Sequence, residues 1–147
     1  MDMSESDPCT PGSLGGQLRV SLQRIARKLR AQRGEADLSE GQFAVLTSIS
    51  RHGPMTPGAL AEHEHIRPPS MTRTVNALVD LGLVVKASDE KDRRLVVVEL
   101  TEAGRNEIKV TRRRRDAWLT KKLGQLTPEE RQTLADASEL LTRIASQ

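Results

Sequence analysis

The chain has 147 residues, 36% of them hydrophobic and 29% charged, which is material for one modest core, either a single domain or a small domain with an oligomerisation element. No apolar run approaches the roughly 20 residues of a membrane helix, the polar, acidic first ten residues do not read as a secretory signal, and the single cysteine, Cys9, excludes an internal disulfide framework or a Cys-rich zinc module. The net charge of +3 conceals two basic blocks, six bases without an acid over residues 17–33 and twelve bases against seven acids over residues 67–115; each is either a polyanion-contacting surface or a set of solvated helix faces.

Residues 1–12 (MDMSESDPCTPG) read as a disordered tail, being polar with two prolines and no periodicity. Leu14, Leu18, Leu22, Ile25 and Leu29 then recur at helical spacing and predict a helix with one apolar stripe, running to about Arg33 and ended by Gly34. Ser39-x-x-Gln42 has the form of a capping box and opens a second helix that buries Phe43, Leu46 and Ile49 before His52-Gly53-Pro54 stops it. Thr56-Pro57 starts a short third helix around Leu60 and Ala61. After a turn at residues 65–67, Pro68-Pro69 leads a fourth helix to about Leu81, with Met71, Val75 and Leu78 inside and Gly82 placed to end it. Ser70, Thr72, Arg73 and Asn76 lie on its other face. The period then changes from helical to extended. Residues 84–87 and 95–100 are aliphatic runs around the polar turn SDEKDRR, which predicts a hairpin with a basic tip. Thr101 caps a long fifth helix closed by Gly124, and Thr127-Pro128-Glu129-Glu130 opens a last helix with Leu134, Ala137, Leu141 and Ile144 on its stripe.

Two short helices joined by a turn, followed by a basic-tipped hairpin, make a winged helix-turn-helix pattern over about residues 38–101. The expected fold is mainly α with a small β-hairpin wing, flanked by dimerisation segments over residues 13–37 and 102–147. Such a helix fits the major groove of double-stranded DNA, and an arginine on the hairpin fits the narrow minor groove. The outer helices present apolar stripes (Leu14, Leu18, Leu22, Leu134, Leu141 and Ile144, with Trp118 as a packing residue), and a two-fold homodimer covers them while placing two reading helices one turn apart on a pseudo-palindromic site.

At these residues the sequence resembles the MarR family of transcription regulators. Residues 70–84 (SMTRTVNALVDLGLV) look like the family's recognition helix, and residues 92–104 (DRRLVVVELTEAG) fit its wing pattern Asp-x-Arg-x-x-x-Val-x-Leu-Thr-x-x-Gly at every fixed position. Residues 38–46 (LSEGQFAVL) resemble its second helix more weakly. The resemblance implies Arg94 as the wing-tip arginine, oriented by Asp92 and flanked by Arg93, with Ser70, Thr72, Arg73 and Asn76 at recognition-helix positions. It also implies a homodimer and, in many members, a small anionic or phenolic effector bound between the lobes. A purely structural ion pair is the alternative for Asp92 and Arg94, and local helix capping or solvation is the alternative for Thr72.

Other clusters admit two readings. Successive helical residues turn by about 100°, so of Arg112–Arg115 only Arg112 and Arg115 share a face; they serve either an anionic effector or DNA backbone, or ordinary ion pairing. His52, His63 and His65 suggest a metal, but residues two apart on a helix diverge, and a polar helix end is the simpler reading. Cys9 as a peroxide sensor needs a stabilised thiolate that a polar tail does not supply. With two aromatic residues, Phe43 and Trp118, stacking on single-stranded RNA is not expected. No nucleophile–base arrangement, phosphate loop or trusted metal spacing points to an enzyme, and no cofactor is implied. The expected function is a homodimeric, cytoplasmic DNA-binding repressor without a membrane partner, and the competing one is a protein-interaction module built on a winged helix.

Overall fold

The structure, a computed structural model, describes residues 7–147. Six helices and one hairpin follow in the order α1 (Pro11–Arg30), α2 (Glu40–His52), α3 (Pro57–His63), α4 (Pro68–Asp80), β1 (Val84–Ser88), β2 (Val96–Leu100), α5 (Glu102–Leu123) and α6 (Pro128–Ala145). The expected mainly α fold with a β-hairpin wing is the one observed. Threonine or serine hydroxyls cap five of the six helices: Thr10, Ser39, Thr56, Thr101 and Thr127 each accept a backbone N–H three residues on.

The first helix departs from the sequence reading at both ends. It starts at Pro11, inside the tail expected over residues 1–12, because Thr10 caps it and Pro11 supplies a pre-set first turn. Of that tail, residues 1–6 lie outside the described residues. It also ends at Arg30 rather than near Arg33. The carbonyls of Gln32 and Arg33 accept hydrogen bonds from α5 side chains instead of continuing the helix ladder.

The core lies inside the central lobe. Leu38, Val45, Leu46, Ile49, Leu60, Met71, Val75, Leu78, Val84, Val98 and Ile108 form one cluster contributed by α2, α3, α4, the hairpin and α5. Full burial of side chains of this size contributes on the order of 1.5–3 kcal/mol each. Phe43, expected inside, is only half-buried and lies at the edge of this cluster.

The hairpin is antiparallel with Val84 opposite Leu100 and Ser88 opposite Val96. A third segment joins it: Met55 exchanges both backbone hydrogen bonds with Val98, at 3.3 and 2.7 Å. No sequence signal marks this bridge, since one residue between two helices has no period. Thr101 fastens the base of the hairpin, its hydroxyl donating to the Gly82 carbonyl at 2.7 Å. Gly104 is buried against the Leu83 carbonyl so closely that any Cβ would collide with it. Neither α1 nor α6 contains a buried residue. No described helix is long and apolar enough to cross a membrane.

Candidate nucleic-acid interface

The turn between α3 and α4 is tied to the core before α4 begins. Glu64 ends α3 and accepts the Ser48 hydroxyl of α2, and the Ile66 N–H reaches back to the Ala61 carbonyl at 2.9 Å. His65 takes a left-handed conformation, φ +53°, which turns the chain into α4. Burial of Met71, Val75 and Leu78 then fixes the rotation of α4 and leaves Thr72, Arg73 and Asn76 exposed, with Ser70 half-buried on the flank.

These four residues differ in what they present. The Thr72 hydroxyl donates to the Pro68 carbonyl at 3.0 Å, leaving its lone pairs and methyl group outward. The Ser70 carbonyl accepts the Thr74 hydroxyl at 3.1 Å. Arg73 has no hydrogen-bond or ion-pair partner among the described residues. Asn76 Oδ1 accepts from Lys86 Nζ on β1 at 2.9 Å. Lys86 was not among the residues singled out from the sequence. Its signal is weak: one lysine in an aliphatic strand, ten residues from the asparagine it meets.

The wing turn is built around two aspartates. Asp89 donates its N–H to the Leu95 carbonyl and accepts the Lys91 N–H, both at 3.0 Å. Asp92 Oδ1 accepts the Arg94 N–H at 3.1 Å and Nε at 3.2 Å, while Oδ2 accepts Nη2 at 3.5 Å. The Arg94 side chain nevertheless remains 91% exposed, against 38% for Asp92. An exposed pair of this kind adds little stability. Its physical consequence is orientation, a guanidinium held at its base and presented to solvent. Arg93 is exposed beside it, without a partner among the described residues.

The arginine run on α5 divides differently from the pairing expected of Arg112 and Arg115. Arg114 Nη1 donates to the Arg33 carbonyl at 2.9 Å, and Arg115 Nε donates to the Gln32 carbonyl at 3.3 Å. Arg115 also lies over the Phe43 ring, 4.6 Å from its centroid. Burial and the neighbouring Arg30 guanidinium hold the Arg115 pKa below its ordinary value, against the opposing influence of Glu40. Arg112 is exposed and shares no partner with Arg115. The same junction contains an open groove of about 370 Å³ lined by Arg27, Arg30, Ala31, Arg33 and Glu40. Arg30 pairs with Glu40 at 3.2 Å and Arg33 with Asp37 at 3.3 Å, so the guanidinium groups outnumber the carboxylates around it. The acid-free stretch over residues 17–33 was the available signal for this groove.

The histidines are arranged otherwise than their spacing suggested. His52 and His63 meet edge to face with centroids 4.9 Å apart, whereas His65 occupies the left-handed turn position. Among the described residues no three His, Cys, Asp or Glu side chains are grouped to hold a metal ion. Cys9 is exposed. Of the residues expected at a dimer contact, Leu14, Leu22, Leu134 and Ile144 are exposed, and Leu18, Leu141 and Trp118 are half-buried, with Lys122 Nζ 5.8 Å from the Trp118 ring centroid.

Residues 38–96, the segment holding α2, the helix pair, β1 and the wing turn, match the MarR family model. An uncharacterized HTH-type transcriptional regulator of Mycobacterium bovis, Mb0904, is 37% identical over 134 residues, covering 91% of this chain and 94% of that protein. The HTH-type transcriptional repressor MdtR of Bacillus subtilis is 26% identical, covering 90% of this chain and 86% of its own. Among solved structures, a candidate transcriptional regulator from Pseudomonas aeruginosa is 32% identical, covers 91% of this chain and 94% of that one, and superposes with a TM-score of 0.78.

Proposed function

The chain belongs to the MarR family of helix-turn-helix transcriptional regulators, and from that premise we propose that it is a cytoplasmic homodimeric repressor that binds a pseudo-palindromic operator in double-stranded DNA. One observation carries this reading: the 2.9 Å bond between Asn76 and Lys86 ties the outward face of α4 to β1 of the wing hairpin. On that face Thr72, Arg73 and Asn76 enter the major groove, with Ser70 at its flank. Arg94, aimed by Asp92, enters the adjacent minor groove, whose narrow walls concentrate negative potential. Arg93 supports it at the phosphates.

The dimer forms through the stripes of α1 and α6, and its two α4 helices meet successive major grooves about 34 Å apart. The relative named as a repressor, MdtR, supports the direction of regulation. A small anionic or phenolic effector belongs to the same reading. The arginine-lined groove at the junction of α1 and α2 supplies charge for such a ligand, with Arg115 bonded to the Gln32 carbonyl of the segment that follows α1 and Arg112 exposed on α5. Such an effector releases DNA only by preferring the conformer that does not bind it.

The test is fluorescence anisotropy with duplex from immediately upstream of the gene against an unrelated duplex, over a salt series. A dimer engaging about 6–10 phosphates gives a log–log salt slope on the order of −5 to −9, and Arg94→Ala weakens operator binding. Absence of duplex binding at low salt would leave a protein-interaction module in its place.

A further inference from the structure

We propose that Lys86 sets the base specificity of the recognition helix, by holding Asn76 as a hydrogen-bond donor so that it reads guanine and discriminates against adenine. The inference rests on the DNA-binding reading above and deepens it.

An ammonium group has three donors and no acceptor. Whatever Asn76 turns toward Lys86 Nζ at 2.9 Å is therefore its carbonyl oxygen, and the amide NH₂ is left to face outward. The usual asparagine contact to a base is bidentate to adenine: Oδ1 accepts from N6 while Nδ2 donates to N7. With Oδ1 turned to Lys86, one of its two lone pairs is taken and the N6 amino group would have to donate beside a cationic donor, so that pairing is disfavoured. The outward group is a donor, and the ammonium beside it carries further donors. Guanine offers two adjacent acceptors on its major-groove edge, N7 and O6, which match an amide donor and an ammonium donor side by side. Adenine offers N7 but places its N6 amino donor where O6 would be, facing donors.

The surroundings hold this pair in place. Val75 and Leu78 are buried on the inner side of α4, and Val84 is buried at the start of β1. Lys86 thus stands on a strand that packs against the helix carrying Asn76. Both side chains are exposed, so the bond contributes little to folding. Thr72, one turn earlier, has the opposite character, because its hydroxyl proton is already given to Pro68. The Arg73 guanidinium, also one turn earlier and without a partner among the described residues, presents only donors, so Asn76 and Lys86 extend a donor-rich stretch toward the hairpin.

The experiment selects binding sites from a duplex pool randomised over about 20 base pairs, two half-sites one turn apart, with wild type, Asn76→Ala and Lys86→Met. Methionine keeps the length of the stem and removes the ammonium. Asn76→Ala identifies the base pair it reads, as the position where preference flattens. The expected result is guanine at that position in wild type, favoured over adenine by ~10-fold or more. Lys86→Met frees Oδ1 and moves the preference toward adenine, so that the ratio falls by ~10-fold or inverts. Adenine preferred by wild type, an unchanged preference in Lys86→Met, or no position that responds to Asn76→Ala would each overturn the inference. A Lys86→Met variant weakened equally on every sequence would do the same, making Lys86 a phosphate contact. In all four cases wild type still selects a sequence, so the regulator reading survives. A wild type that selects none removes both.

Discussion

Gly34 lies where the segment after α1 passes beneath α5, and a Cβ at that position would collide with the Glu107 carboxylate and the Thr111 hydroxyl. Glu107 is only 5% exposed, and it has no cationic partner among the described residues. Its Oε1 accepts the Ala36 N–H at 3.2 Å, so part of the solvation it lost on burial is returned by the backbone of this loop. Side chain and backbone therefore depend on each other. Gly34→Ala forces the loop or the carboxylate to move and is expected to destabilise the fold by ~1–3 kcal/mol in urea unfolding. Glu107→Ala leaves the Ala36 N–H without its partner and costs a similar ~1–3 kcal/mol. Since each change removes what the other disturbs, the double variant should lose less than the sum of the two singles. Strict additivity would show that the two residues do not share a contact. The sequence marks Gly34 only as a helix terminator, and Glu107 is silent in it because the N–H that Glu107 accepts lies 71 residues away.

Between elements, the most consequential joint is the one from α4 to the wing. Asp92 holds Arg94 at the backbone and at two guanidinium nitrogens, which removes conformational freedom before any DNA is met. Preorganisation of this kind should appear in affinity and not in stability. Arg94→Ala is expected to lower operator affinity by ~10-fold or more, and Asp92→Ala by a smaller factor with its melting temperature nearly unchanged. The double variant should bind no worse than Arg94→Ala alone, because Asp92 acts only through the arginine. A further loss in the double variant, measured by anisotropy at fixed salt, would give Asp92 a role of its own. The Asp92–Arg94 pair was legible in the sequence because its partners lie two residues apart. The same holds for the starts of α2, α3, α5 and α6, which local caps specify, and for the hairpin, whose aliphatic runs differ from the observed strands by one residue each. What was not legible was set across the chain: the segment after α1, whose carbonyls α5 arginines engage; the Met55 bridge; and the meeting of Lys86 with Asn76.

Across the whole molecule, α1 and α6 pose one physical problem. Most helical stability in proteins comes from packing an amphipathic face, and neither helix buries a residue within the chain. Leu14, Leu22 and Ile25 on α1 and Leu134, Leu140 and Ile144 on α6 remain exposed, Ile144 at 59%. A second copy offers the same stripes in return, so a two-fold interface can satisfy both helices at once. Sedimentation equilibrium is therefore expected to give twice the chain mass of 16.2 kDa for wild type, and Leu141→Glu with Ile144→Glu to shift it toward the single chain. The consequence for DNA exceeds the loss of apolar contact. Two linked half-site binders gain avidity of ~100-fold or more over either alone when the geometry permits both to engage. The monomeric variant should lose affinity for the full operator by a factor of that order, yet bind an isolated half-site as wild type does and with the same base preferences. If the variant stays dimeric with full operator affinity, the α6 stripe is not the interface. If it becomes monomeric but also loses its half-site preferences, the charges on α6 have disturbed the reading lobe. Only separation of the two effects assigns α1 and α6 to spacing and the central lobe to recognition.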